Sequence, residues 1–148
     1  MSGLITFRLG EREYATSLDD VREVVRLAGL VDLPGMAPPL AGVLDLRGTA
    51  LPVLDLRLAA APGACGDVLV LEPAAGPSAA WLGDTGTVGV AVDQVRAVVA
   101  VEDLPGAGTT PDAGLLPSYV VDVLRGPGGV IFLVDLVRMV EAVRGPQT

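Results

Sequence analysis

Valine and leucine recur along this chain in short runs, each closed by glycine, proline or a pair of charged residues. The pattern is clearest at 42–56, where two apolar runs, 43–46 and 50–56, flank Arg47-Gly48-Thr49. Runs of this kind around turn residues predict a β-hairpin. Gly48 can take a positive φ in the turn, and Pro52, lacking an N–H, predicts an edge or a bulge. Upstream, 4–9 and 13–16 read as strands around the turn Gly10-Glu11-Arg12. Ser17 reads as an N-cap with Asp20 as a weak capping-box partner. Leu18, Val21, Val24 and Val25 then fall at helical spacing and predict a helix over 18–25. The short apolar run 30–33 ends at Pro34, and 34–39 reads as a rigid connector. Strands are predicted at 68–71 and 88–92. The segment 94–101 reads as helix at its start and strand at its end. A second hairpin, 119–124 and 130–134, is predicted around a turn at 125–129. Asp135 caps a last helix whose buried side carries Leu136, Met139, Val140 and Val143. Loops are predicted at 59–66, 73–86 and 105–117.

The runs repeat. Val21-Arg22-Glu23-Val24-Val25 returns as Val95-Arg96-Ala97-Val98-Val99, 74 residues on, with Asp19 and Asp93 before the two copies. Leu46-Arg47-Gly48 returns as Leu124-Arg125-Gly126 at an offset of 78, and Leu54-Asp55-Leu56 as Val134-Asp135-Leu136 at 80. Three matches in order imply two copies of one β-rich unit, each with a helix, packed face to face across an apolar interface. With 148 residues, neither half is large enough to bury much alone.

Composition removes many functions. The net charge is −8 and all ten cations are arginine, which disfavours nucleic acid and an anionic membrane surface as partners. There is no histidine, so histidine-dependent triads and histidine metal sites are excluded. The single cysteine, Cys65, fits a reducing compartment. No stretch is long and apolar enough to span a bilayer as a helix, and the N-terminal residues lack the basic region of a leader. A cytoplasmic protein is expected. Asp84-Thr85-Gly86-Thr87 matches the aspartic-protease triplet, and a homodimer would supply the second carboxylate; its glycine-rich setting reads as an ordinary turn. Asp45, Asp55, Asp122 and Asp135 fall at positions that argue for structure rather than acid–base work. Gly126-Pro-Gly-Gly129 lacks what a phosphate loop requires. Arg47 stands apart: a forked donor at the tip of an apolar hairpin suits an interaction surface, although it could also pair locally with Glu23 or Asp45.

The series at 6–14, 21–24, 34–57, 88–95 and 130–136 resembles the CheW family, the adaptors of bacterial chemosensory arrays. The resemblance covers about 4–143. It implies an all-β fold with short helices, built as two five-stranded SH3-like β-barrel subdomains related by a pseudo-twofold repeat. It implies one domain over 1–148, with 14–86 as the first barrel and 4–13 plus 87–143 as the second. It also implies no catalysis and no cofactor or metal, with contacts to a methyl-accepting chemoreceptor tip and to the regulatory domain of a CheA-type histidine kinase. By resemblance the receptor-facing groove involves Val21, Gly42, Arg47, Gly48 and Val68, and the kinase-facing surface Glu23, Ala50 and Leu51. Asp45 stands where the family has Asn, which places a carboxylate near Arg47. Ala50 replaces a larger β-branched residue, which leaves open a receptor-only paralogue that recruits kinase poorly.

Overall fold

The computed structural model describes residues 3–32, 34–35, 40–57, 65–72, 87–104 and 116–144, with the backbone alone at 143 and 144. Among the described residues ten strands run in chain order: β1 (Gly3–Leu9), β2 (Arg12–Ser17), β3 (Val21–Arg26), β4 (Leu40–Leu46), β5 (Thr49–Asp55), β6 (Asp67–Leu71), β7 (Val88–Val92), β8 (Gln94–Ala100), β9 (Val120–Gly126) and β10 (Gly129–Val134). The helix α1 (Leu136–Arg144) follows them. The strands form two five-stranded sheets, ordered β3-β6-β7-β5-β4 and β8-β1-β2-β10-β9.

The two sheets are copies of one another, strand for strand. β3, β6, β7, β5 and β4 take the places of β8, β1, β2, β10 and β9. In each sheet the only parallel contact is the one between the third and fourth strands, β7 with β5 and β2 with β10. Both first strands carry an irregularity at the same point, at Arg22 in β3 and at Arg96 in β8. The repeat is therefore real, but one of its sequence markers is out of register. Asp45 faces Ala50 as Arg125 faces Val130, and Leu46 faces Thr49 as Gly126 faces Gly129. The hairpins thus correspond at the offset of 80 throughout. The second Leu-Arg-Gly lies two residues earlier on its strand, and the counterpart of Arg47 at the tip is Pro127.

Two segments expected to start as helices are strands. Residues 18–20 form one 3₁₀ turn, with Ser17 Oγ accepting from the Asp19 N–H rather than acting across to Asp20, and the chain then extends as β3. The whole of 94–100 is strand, closed by a 3₁₀ turn at 101–103. Both segments are rich in valine, whose branched Cβ favours the pleated backbone, and each has a sheet partner that an isolated helix would lack. The sheets also divide the chain at different points from those expected. β2 stays with its hairpin partner β1, and β7 completes the first sheet, so the divisions fall between Ser17 and Val21 and between Val92 and Gln94.

Packing follows the same plan. One buried cluster joins the sheets: Ile5, Phe7, Tyr14 and Val134 of the second meet Leu54, Leu69, Leu71, Val90 and Val92 of the first, and Leu136, Val137, Met139 and Val140 of α1 close it. Each sheet also keeps a cluster of its own, around Leu51, Val53 and Val68 in the first and Leu4, Ala15 and Ile131 in the second. Asp135 begins α1, its carboxylate accepting from the Arg138 N–H at 3.3 Å. Val143 falls where side chains are not described.

At the far end of β5 the side chain of Arg57 is only 4 % exposed. It forks onto the Asp55 carboxylate through Nε and Nη2 at 3.0 and 2.9 Å, and donates from Nη1 to the Cys65 carbonyl at 3.0 Å. The hydrogen bonds to Asp55 raise the Arg57 pKa above its usual value against the effect of burial. Asp55 is thus a structural group, as its place in the repeat implied.

Candidate functional site

The β4–β5 hairpin turns through Arg47 and Gly48, both at positive φ, +52° and +87°. A two-residue turn of this kind matches the twist of the strands it joins. Gly48 adopts that conformation freely, whereas Arg47 is the one non-glycine among the described residues that does so. Asp45 secures the turn by accepting from the Gly48 N–H at 2.8 Å. The carboxylate that the sequence placed near Arg47 is therefore engaged with backbone, and Arg47 reaches instead to the strand at the opposite end of the sheet order.

There it meets Glu23 of β3. Nη1 donates to Oε1 at 3.0 Å and Nη2 to Oε2 at 2.6 Å, a two-pronged pair that fixes the guanidinium plane. The hydrogen bonds from Arg47 hold the Glu23 carboxyl below the usual carboxylate range, with the charges of Arg47 and Arg22 adding to the effect against desolvation. Arg47 is raised in turn. Its side chain remains 64 % exposed, so a partner can reach it.

Beside this pair lies a cleft of about 430 Å³, lined by Arg22, Leu46, Arg47, Thr49, Ala50, Leu51, Glu72 and Thr87. Residues expected on two separate surfaces converge here. Glu23 and Ala50 were expected to face a kinase and Arg47 and Gly48 a receptor, yet Glu23 and Arg47 are bonded to each other. Val21, half-buried, starts the strand that carries Glu23.

Three expected contact residues are buried. Val68 is fully enclosed on β6, opposite Val25 in the sheet. Leu51 is 2 % exposed and packs in the same cluster, reaching the cleft only as part of its floor. Gly42 lies buried under residues 30–31, where Val31 and Val43 exchange backbone hydrogen bonds at 2.9 and 2.8 Å. A Cβ on Gly42 would lie 2.5 Å from the Val31 carbonyl oxygen. Gly42 and Val68 therefore shape the surface from beneath, while Leu51, almost wholly buried, contributes to the lining of the cleft alone. Conversely, the sequence singles out neither Arg22, which it shows only as part of the repeat, nor Glu72 as a site residue. Nothing in a single chain shows that the bulge in β3 brings Arg22 to a cleft shared with the end of β6.

Asp84 and its triplet partners Thr85 and Gly86 lie outside the described residues. Among the described residues no group of three His, Cys, Asp or Glu side chains could hold a metal ion, and no helix is long and apolar enough to cross a membrane.

The CheW-like domain family matches residues 3–144. The chemotaxis protein CheW of Rhizobium meliloti (strain 1021) is 29 % identical over 139 residues, covering 90 % of this chain and 83 % of that protein. That of Bacillus subtilis (strain 168) is 37 % identical over 54 residues, a match spanning 36 % of this chain and only 35 % of the relative's length. Among solved structures, the scaffolding protein TtCheW of Thermoanaerobacter tengcongensis superposes with a TM-score of 0.65 at 19 % identity, over 91 % of this chain and 84 % of that one. The doubled five-stranded architecture, the hairpin sequence that carries Arg47 and the family match over nearly all residues agree: this chain belongs to the CheW-like domain family.

Proposed function

We propose that the protein is an adaptor of a chemosensory array, acting in the cytoplasm beneath membrane-bound receptors. It holds a methyl-accepting chemoreceptor signalling tip and the regulatory domain of a CheA-type histidine kinase together by contact alone. The observation that carries this reading is the Arg47–Glu23 pair: an exposed guanidinium, held in plane at 2.6 and 3.0 Å on a rigid hairpin of a family scaffold. Preorganised arginine of this kind is enriched where proteins dock. Val21, Arg47 and Gly48 serve the receptor side, with Gly42 and Val68 supporting them from below. Glu23 and Ala50 serve the kinase side, supported by Leu51.

Pull-down with the receptor tip and with the kinase regulatory domain of the same organism tests the reading. Binding to both supports it, and binding to neither removes it. Arg47→Glu, which places two carboxylates together, abolishes receptor binding with the melting temperature near wild type; unchanged affinity retires Arg47 from the site. The small side chain at Ala50, open to the cleft, favours a second reading in which the protein binds receptors and recruits kinase poorly. Strong kinase binding by the wild type excludes that second reading.

A further inference from the structure

We infer that the Asp67 carboxylate sets the angle between the two sheets and, through it, the affinity for the receptor tip. Asp67 is a positioning residue: it acts without touching the partner. The link to affinity rests on the adaptor reading; the strut between the sheets does not.

The chain crosses between the sheets twice, from β2 to β3 and from β7 to β8. The repeat makes the crossings counterparts, with Val21 at the end of one and Val95 at the end of the other. They are built differently. In the first, the 3₁₀ turn at 18–20 satisfies the Val21 N–H with the Leu18 carbonyl. Leu18 also packs over Gly3, its Cδ2 lying 3.2 Å from where a Cβ on Gly3 would stand. In the second, the Val95 N–H donates across to the other sheet, to Asp67 Oδ2 on β6 at 2.8 Å. The register shows why this bond is not repeated. Arg26 faces Asp67 as Ala100 faces Gly3, so the counterpart of Asp67 has no side chain.

The carboxylate stands on a fixed base. Gly66, just before it, lies so tightly against its neighbours that a Cβ there would come within 2.6 Å of the Val92 carbonyl oxygen and 2.9 Å of Arg57 Nη1. Arg57 is itself held by Asp55 and the Cys65 carbonyl. The side chain of Asp67 is 15 % exposed, and Arg26 Nη1 is 3.8 Å from its Oδ1, outside hydrogen-bond distance. The second crossing is pinned on its other flank by Asp93, whose N–H donates to the Arg8 carbonyl at 3.1 Å and whose carboxylate accepts from the Gly10 N–H at 2.7 Å. Asp93 thus ties the crossing to the second sheet and Asp67 ties it to the first. The cluster that joins the sheets is apolar, and a charge-assisted hydrogen bond adds the direction that apolar burial lacks.

The angle governs how the edge strands β3 and β8 stand to one another. Their ends are close at both extremes, through Leu18 beside Val99 and Gly3 and through Asp67 between Arg26 and Val95. Val21, on the receptor side of the adaptor, belongs to one of these two edges. A hinge of few residues closes or opens such a pair of edges, and a side chain that fixes the hinge fixes the geometry a partner meets.

Amide hydrogen exchange and a pair of spin labels on the full chain test this. The labels go on Ala50→Cys and Val130→Cys, counterpart positions on the two hairpins, in a Cys65→Ser background. In the wild type the Val95 amide is expected to be protected; fast exchange there overturns the inference without any variant. Asp67→Ser, too short to reach Val95, is expected to expose that amide, shift or split the distance between the labels, and weaken receptor-tip binding by about fivefold or more. Asp67→Asn keeps an oxygen that can accept from Val95 and is expected to restore all three. A lower melting temperature for Asp67→Ser with the label distance unchanged marks a merely structural residue and overturns the inference. So does a shifted distance with the affinity still within about twofold of wild type. If the wild type does not bind the receptor tip, the receptor arm of the adaptor reading falls and the claim on affinity with it, while the label distance still decides the strut.

Discussion

Gly42 offers a sharp test of whether a residue acts by touching a partner or by letting the chain pass. Its added methyl group in Gly42→Ala would meet the Val31 carbonyl oxygen at 2.5 Å and Leu30 Cγ at 2.9 Å. The first neighbour is backbone, and that backbone is held by the two hydrogen bonds between Val31 and Val43, so it cannot swing aside as a flexible side chain would. Overpacking of this kind costs about 1–3 kcal/mol. For a chain of this length that corresponds to a melting temperature lower by about 2–12 °C, at about 2–4 °C per kcal/mol. Because β4 leads directly into the Arg47 turn, displacing it also loosens the guanidinium, and receptor affinity falls together with stability. The assay pairs thermal unfolding with receptor-tip binding on the same preparation. Loss of binding at an unchanged melting temperature would show that Gly42 is itself a contact and would refute the reasoning. An unchanged value for both would show that the 30–31 segment yields at no cost.

Other expectations follow from the same geometry. Arg57→Met strands the Asp55 carboxylate and the Cys65 carbonyl in a largely buried place and should destabilise by about 3 kcal/mol, measured by urea unfolding; Asp55→Asn in the same background should add much less than it costs alone, and strict additivity would deny the pairing. Glu23, with its native pKa depressed by Arg47, contributes stability that is present above the unfolded carboxyl value and lost as pH falls through the lower native one. The NMR titration midpoint of its carboxyl should therefore rise in Arg47→Ala, and a midpoint that stays put would contradict the pair. Val68→Ala removes two methyl groups from a fully buried site and should cost about 2 kcal/mol. Its effect on binding should disappear when affinities are corrected for the folded fraction, and a residual loss would restore Val68 to the contact surface.

Much of this architecture is legible in the chain because its strands are short, apolar and separated by strong turn residues. The β4–β5 hairpin stands out from Arg47-Gly48 alone, and the two-unit plan follows from matched runs such as Val21-Arg22 and Val95-Arg96. What misleads is competition between signals. Leu18, Val21, Val24 and Val25 share a helical face, yet alternate burial along 21–26 is what β6 enforces, and no local rule contains β6. The Leu-Arg-Gly match slips by two because the second tip is made by Pro127-Gly128, a turn chemistry that does not copy the first. At the site, the option of an Arg47–Glu23 pair is readable, but the choice of Glu23 over Asp45 depends on the Gly48 N–H claiming Asp45. Burial of Val68 is signalled by the unbroken apolar run 68–71, the pattern of a strand enclosed on both faces, whereas Leu51 sits on β5 beside exposed Ala50 and Pro52, and which side of that strand turns inward is decided only by the assembled sheet.

The second sheet is stitched from both sides of the first. Thr16 of β2 donates to the carbonyl of Val134 on β10, 118 residues away, and between them the chain lays down every strand of its twin. During synthesis the β1–β2 ribbon leaves the ribosome early and has no lasting neighbour until β8 to β10 emerge, and a lone two-stranded ribbon is marginal in water. The twin sheet needs no such wait. Each molecule therefore matures in a fixed order, with the arginine-bearing half ready first and the other half made whole only as the last strands arrive.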